Sequence, residues 1–314
     1  MQAIRGEVAK VIVGQHNVVE SLLITLLVGG HCLITGLPGT AKTLLVRTLS
    51  QALGLEFKRI QFTPDLMPTD ITGTDIIEED PATGHRSWTF VPGPVFANVL
   101  LADEINRTPP KTQSALLEAM QEGSVTVRGG RHLLPSPFFV LATQNPIELE
   151  GTYTLPEAQL DRFLFNVLLD YLTPEQEMDV LLRNTGGTPL EEVNACTDGE
   201  QIKQFQWLVR QIPIETGVAR RIIEVVRATR PTDPTASDMV RKYLKYGASV
   251  RATQFLALGG KARALLHGRY HVAMEDVEAL VKPVLRHRII TNYFAESDGI
   301  TADAILERII GSRG

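Results

Sequence analysis

The sequence predicts an α/β protein: a core built on a parallel five-stranded sheet with two β-hairpin inserts, followed by a smaller helical domain. Three observations predict it. Short apolar runs alternate with helical patterns through the first half, the rhythm of a parallel sheet. A glycine-rich turn, "GLPGTAKT" at residues 36 to 43, stands between one such run and a leucine-rich helical pattern. After "NTGGTPLEE", near residue 185, the patterns become mostly helical. The expected division is a core over residues 1–188 and a helical domain over 189–314, and 314 residues are enough for both.

In chain order, "HCLIT" reads as the first strand and "KTLLVRTLSQAL" as the helix after the turn. "FKRIQFT", "NVLLADE", "FFVLATQ" and "FLFNVLL" read as four more strands. Continuous apolar runs such as "NVLLAD" suit strands buried on both faces. Residues 73 to 94 read as a hairpin turning near Pro81 to Gly84, and residues 124 to 134 as a second turning at Gly129-Gly130. Beyond residue 185, "DGEQIKQFQWLVRQI", "GVARRIIEVVRATR", "SDMVRKYLKYG", "ATQFLALGGKARALLHG" and "AMEDVEALVKPVLRHR" read as helices. Asp198, Ser237 and the acidic pair at Glu275 suit helix beginnings.

Composition narrows the class. The formal net charge is -5, which offers no electrostatic support for nucleic-acid binding, usually marked by a basic domain or stripe, and leaves open a local basic patch in a folded assembly. Cys32 and Cys196 stand far apart, outside any CxxC spacing, and read as ordinary thiols of a reducing compartment. "MQAIRGEVAK" lacks the apolar core of a signal peptide. "LLITLLVGGHCLIT" is too short for a membrane span and is broken by Gly29, Gly30 and His31. These features lead to the expectation of a cytoplasmic protein without membrane insertion.

The turn carries the first chemical signal. A phosphate loop reads Gly, four residues, Gly, Lys, then Ser or Thr. Gly36, Lys42 and Thr43 fit, while Ala41 replaces the second Gly. Gly36 and Gly39 give the backbone freedom to aim N–H groups at an anion ahead of a helix. Ala41 falls where that helix begins, so its methyl group is expected to fit without strain. Lys42 would reach the β and γ phosphates and Thr43 would bind Mg²⁺. A plain strand-to-helix turn with a surface lysine is the competing reading. "NVLLADEINR" then ends a strand in Asp103-Glu104, at the sheet rim where ligands bind. Asp103 is expected to hold Mg²⁺, mainly through water, and Glu104 to polarise an attacking water. A solvated acidic pair is the competing reading, weakened by the phosphate loop upstream.

Together "GLPGTAKT", "LLADEINR", "ATQNP" and "LPEAQLDRF" resemble the AAA+ ATPases, and specifically the MoxR family, in order, spacing and nearly full length. The "AKT" ending is a variant found in that family and in related replicative helicases. The resemblance implies that Gly36, Leu37, Pro38, Gly39, Thr40, Ala41, Lys42, Thr43 and Leu44 bind ATP with Mg²⁺. It implies that Asn145 is the first sensor and Arg162 an arginine finger acting on a neighbouring subunit's ATP. Arg251 would be the second sensor, although Val250 stands where the family usually has Pro. Val13, Gly14 and Gln15 of "VIVGQ" would frame the adenine. An Asn-Pro turn competes for Asn145, and pairing with Glu157 or Asp161 competes for Arg162.

The resemblance also implies a ring, expected to be a hexamer, with a chaperone-like role on a protein client, often inserting a metal or cofactor. A protein with a von Willebrand factor A domain would be the usual partner. The two hairpins resemble inserts that face a central pore. Trp88 and Phe90 could there touch a client, although a packed Trp is the preferred expectation. His267 and His271 in "HGRYH" stand at i and i+4 on the expected helix, a metal-compatible spacing without an evident third ligand. Three rival functions remain open: a nucleic-acid motor related to replicative helicases, an enhancer-binding transcription activator, and a GTPase.

Overall fold

The computed structural model describes residues 1–79, 81, 84–146, 151–186 and 191–311. Two compact units emerge. The first comprises Met1–Val19, Leu33–Leu155 and Leu168–Lys203; the second comprises Glu20–Cys32, Pro156–Val167 and Gln204–Gly314. The boundary expected between residues 188 and 189 lies outside the described residues.

Helices α1 (Gln2–Val11) and α2 (His16–Val28) lead to strand β1 (Cys32–Gly36), helix α3 (Lys42–Ala52), strand β2 (Phe57–Gln61) and the short helix α4 (Pro68–Thr72). Strands β3 (Gly73–Glu79), β4 (Arg86–Pro92) and β5 (Val99–Asp103) follow, then helix α5 (Pro110–Glu122), strands β6 (Ser124–Val127), β7 (Gly130–Leu133) and β8 (Phe139–Gln144), helix α6 (Glu157–Leu160), strand β9 (Phe165–Leu169) and helix α7 (Pro174–Thr185). The five-stranded sheet has the order β2-β5-β8-β1-β9, with β5 parallel to both β2 and β8. Val99, Leu100, Leu101 and Ala102 are each at most 2 % exposed. Successive strand residues point to opposite faces, so both faces of β5 are covered, as its unbroken apolar run predicts. Strand β2 lies at the sheet edge, which is why its sequence can carry Lys58, Arg59 and Gln61.

Both hairpins form. In the first, Gly73 pairs with Pro92 and Glu79 with Arg86; residues 80, 82 and 83 of its expected turn lie outside the described residues. In the second, Val127 pairs with Gly130, so the turn is Arg128-Gly129, one residue earlier than expected. Arg128 (φ 46°) and Gly129 (φ 83°) supply the two positive φ values of a tight hairpin. The expectation of a packed Trp88 is corrected. Trp88 sits opposite Ile77 on a two-stranded ribbon and is 57 % exposed, with the Arg128 guanidinium 3.7 Å from its ring centroid. Phe90 stacks on His132 at 3.8 Å.

The remaining helices are α8 (Gly199–Gln211), α9 (Thr216–Ala228), α10 (Asp238–Tyr243), α11 (Val250–Leu266), α12 (Met274–Leu285), α13 (Tyr293–Ser297) and α14 (Ala302–Gly311). Asp198 Oδ1 accepts from Gln201 N at 2.9 Å and Ser237 Oγ from Val240 N at 3.3 Å, so both cap helices as expected. The helical reading of "SDMVRKYLKYG" holds only to Tyr243. Leu244–Tyr246 forms strand β10, paired antiparallel with β11 (Ile290–Thr291), a partner too far along the chain for local periodicity to reveal. Helices α11 and α12 approach closely at Gly259, where a Cβ would stand 2.9 Å from Leu280. Helix α11 ends at Leu266, so His267 and His271 do not share a helical face; His267 instead lies 3.2 Å from Glu20. Among the described residues no helix is long and apolar enough to cross a membrane.

Candidate nucleotide site

Strand β1 ends at Gly36, β5 at Asp103 and β8 at Gln144. The glycine-rich loop, the acidic pair and Asn145 therefore follow the carboxyl ends of three inner strands, where parallel sheets bind ligands. Gly36 is fixed by packing: a Cβ would stand 2.8 Å from the Cβ of Leu169. Gly39 has φ +81° and Ala41 has φ 57° and ψ 28°. Positive φ values at this spacing give the nest form of backbone that gathers N–H groups into an anion-binding concavity. The expectation of an unstrained Ala41 is thus corrected. Helix α3 begins one residue later, and its N-cap is left-handed, where a methyl group costs about 1 kcal/mol. Thr40 Oγ1 donates to Leu37 O at 2.8 Å, closing the loop, and Lys42 Nζ lies 2.5 Å from Gly36 O. The ammonium is thereby held over the concavity's own backbone.

Asp103 and Glu104 are held by side chains that the sequence reading did not single out. Asp103 is 9 % exposed. Its Oδ1 accepts from Thr143 Oγ1 at 2.6 Å, and its Oδ2 from Arg59 Nε at 3.1 Å and Nη2 at 2.8 Å. Glu104 has φ 57°, another left-handed residue, and its N–H donates to Thr143 Oγ1 at 2.9 Å. Its Oε2 accepts from Gln61 Nε2 at 2.8 Å and Arg107 Nη1 at 3.0 Å. Thr143 is 1 % exposed and joins both acidic residues through one hydroxyl. The strand register accounts for the rest: Gln61 stands opposite Asp103, and Arg59 lies two residues earlier on the same face of β2.

Two adjoining cavities open on this loop. One, of about 400 Å³, is lined by Pro38 to Leu44 with Asp103, Glu104 and Asn145, the last only 6 % exposed. The other, of about 430 Å³, shares Gly39, Thr40, Ala41 and Leu44 with the first. It is walled by Val11, Ile12, Val13, Leu45, Tyr171, Leu172, Val180 and Leu181, with Gln15, Asp170 and Glu177. A charged, donor-rich compartment thus adjoins an apolar one. Val13 and Gln15 line the apolar cavity. Gly14 (φ +67°) lies against Gln176, where a Cβ would stand 2.6 Å from Nε2. Tyr171, Leu172, Val180 and Leu181 were not foreseen, because an apolar stretch after a strand reads equally well as core.

The polar compartment suits a hard divalent cation. It holds two hydroxyls and two carboxylates; with the Thr40 hydroxyl donating to Leu37 O, Thr43 and Asp103 supply the sparse oxygen set with which Mg²⁺ keeps most of its water, beside Glu104. Arg162 and Arg251 both belong to the second unit. Arg162 follows α6, and Arg251 lies in the first turn of α11, capped by Ser249, whose Oγ accepts from Arg251 N at 3.2 Å. Val250 therefore starts the helix without the proline.

Residues 31–165 match the family described as "ATPase family associated with various cellular activities (AAA)", and residues 236–309 match the AAA lid domain. The chain is 43 % identical to chaperone MoxR1 of Mycobacterium tuberculosis, over 97 % of this chain and 79 % of that protein. It is 30 % identical to protein MoxR of Paracoccus denitrificans, over 89 % of this chain and 85 % of the relative. The crystal structure of a Cytophaga hutchinsonii protein provisionally described as an ATPase superposes with a TM-score of 0.90 at 42 % identity, covering 98 % of this chain and 92 % of that one. With its phosphate-loop sheet, its lid and MoxR relatives matched over 79 % and 85 % of their length, the chain belongs to the MoxR family of AAA+ ATPases.

Proposed function

We propose that the chain hydrolyses the β–γ phosphoanhydride of ATP with Mg²⁺, as a ring oligomer, a hexamer, that remodels or matures a protein client in the cytoplasm. The observation that carries this reading is the adjoining pair of cavities at Gly39, Thr40, Ala41 and Leu44. A nucleoside triphosphate has the same two parts, a flat apolar base and a highly charged chain. Residues 36 to 44 would bind the phosphates, all but Pro38 with a backbone N–H to offer, and Lys42 would exchange Gly36 O for a phosphate oxygen. Thr43 and Asp103 would hold Mg²⁺, which supplies charge neutralisation on the phosphates. Gln61 and Arg107 restrain Glu104 through Oε2, so proton acceptance from water is assigned to Oε1. Asn145 would orient that water, Arg162 would act on the neighbour's ATP, and Arg251 would carry the lid, residues 189–314, against the core of residues 1–188. A partner with a von Willebrand factor A domain, met through the hairpins, and metal or cofactor insertion belong to the same reading.

The test separates grip from turnover. Lys42→Ala loses tight ATP binding, whereas Glu104→Gln keeps it and loses on the order of 10²-fold or more in rate. Near-normal turnover by Glu104→Gln removes it from its role. Stimulation of turnover by single-stranded DNA at physiological salt, and by no co-purifying protein trapped on Glu104→Gln, would favour a nucleic-acid motor.

A further inference from the structure

Within the second unit, the turn that carries Arg162 is gripped by a buried arginine with no place in the nucleotide site. Arg288 follows α12, and its side chain is 1 % exposed. Its Nε donates to Asp161 Oδ1 at 2.8 Å, and its Nη2 to Asp161 O at 2.9 Å and to Phe163 O. Its Nη1 donates to Leu164 O at 3.2 Å and to Val284 O. The Phe255 ring lies 4.9 Å from its Cζ. One guanidinium therefore ties the backbone on both sides of residue 162 to helix α12. Burial pulls the Arg288 pKa down to about 10, with Asp161 opposing the fall, so the group stays charged at neutral pH. Asp161 has a second partner: its Oδ2 lies 3.4 Å from Arg251 Nη1 and 3.4 Å from Ser249 Oγ. The carboxylate so joins the turn bearing Arg162 to the first turn of α11.

We propose that Arg288 and Asp161 are positioning residues for Arg162: a buried clamp that fixes the backbone presenting this arginine and registers it with Arg251. Five donors in a rigid fork are what such a clamp needs, and lysine cannot reproduce them. A core assembled by packing alone would not require an ionised group at this position, because a buried charge is costly unless fully partnered. This inference rests on the role proposed above for Arg162.

The experiment is a double-mutant cycle of Asp161→Asn and Arg162→Ala in the full chain, reading kcat and KM for ATP. Asp161 is 24 % exposed at its side chain, so Asn replaces it without opening a cavity. Asp161→Asn alone lowers kcat on the order of 10- to 100-fold, the scale of a misplaced catalytic group, with KM within about threefold of wild type. In the Arg162→Ala background the same change lowers kcat several-fold less than in wild type, the remainder coming from its hold on Arg251. Arg288→Lys repeats the pattern, because it keeps the charge and loses the fork. Losses that multiply across the cycle overturn the clamp, as does an Asp161→Asn protein of wild-type kcat. Full kcat in Arg162→Ala alone overturns the role of Arg162 itself, and that outcome is distinct from the other two.

Discussion

Thr143 offers the sharpest test of how the acidic pair is held. Its hydroxyl donates to Asp103 Oδ1 at 2.6 Å and accepts from Glu104 N at 2.9 Å. Thr143→Val keeps the shape of this 1 % exposed side chain and removes both bonds. A hydrogen bond to a charged group contributes about 1.5–3 kcal/mol, and an unsatisfied N–H adds about 1 kcal/mol or more. Arg59 still anchors Oδ2, which places the expected loss toward the lower end, about 2–3 kcal/mol. That is a large part of a typical stability of about 5–15 kcal/mol. Turnover falls as well, because Glu104 at φ 57° loses the bond that holds its backbone in a left-handed well. A shift of about 1 Å at such a group costs on the order of 10²-fold. Thr143→Ser keeps the hydroxyl and is expected within about 1.5 kcal/mol and a few-fold in rate. Urea denaturation and steady-state ATP hydrolysis read the two effects. A valine variant within about 0.5 kcal/mol and twofold of wild type would refute the reasoning.

Three further outcomes are expected. Ala41→Gly relieves about 1 kcal/mol of left-handed strain and costs about 0.5 kcal/mol in unfolded-chain entropy; a urea midpoint lower than wild type would contradict strain at this N-cap. His287 is buried beside Arg288 and Arg286, with Nε2 3.2 Å from Phe163 O; burial first, then the Arg288 charge, pushes its pKa well below 6.5. The unfolded chain therefore takes up this proton first, so stability falls as pH drops below about 6.5, at up to about 1.4 kcal/mol per pH unit. His287→Gln keeps a donor for Phe163 O and should flatten that part of the stability profile; an unchanged slope between pH 6.5 and 5 removes His287 as its source. Arg162→Ala subunits, mixed with Lys42→Ala subunits, should recover some ATP hydrolysis, since each contributes the half-site that the other lacks. Proven co-assembly with no mixture above its parents would rule out a shared site.

Some of this protein was legible in one dimension, because the forces involved are local or periodic. Apolar runs such as "NVLLAD" had to be strands covered on both faces, and β1, β2, β5, β8 and β9 fall where those runs stand. The phosphate loop is legible because Gly36, Lys42 and Thr43 are spaced by backbone geometry at a strand-to-helix junction, and Asp103-Glu104 because it ends a strand. Tertiary structure decided the rest. Arg59, Gln61 and Thr143 reach the acidic pair only through the strand order β2-β5-β8 and its register, which no local pattern encodes. In sequence, Arg59 and Gln61 are the polar positions of an ordinary edge strand. The left-handed Ala41 and Glu104 are likewise invisible, because residues of those types prefer other backbone wells and hold these only where the surrounding loop compels them. Trp88 looked like core, since its size favours burial, yet a two-stranded ribbon has too few neighbours to cover it. Arg288 looked like one more basic residue near a helix end. Five oxygens brought together from residues 161, 163, 164 and 284 make it a buried ion, and only the folded chain could gather them.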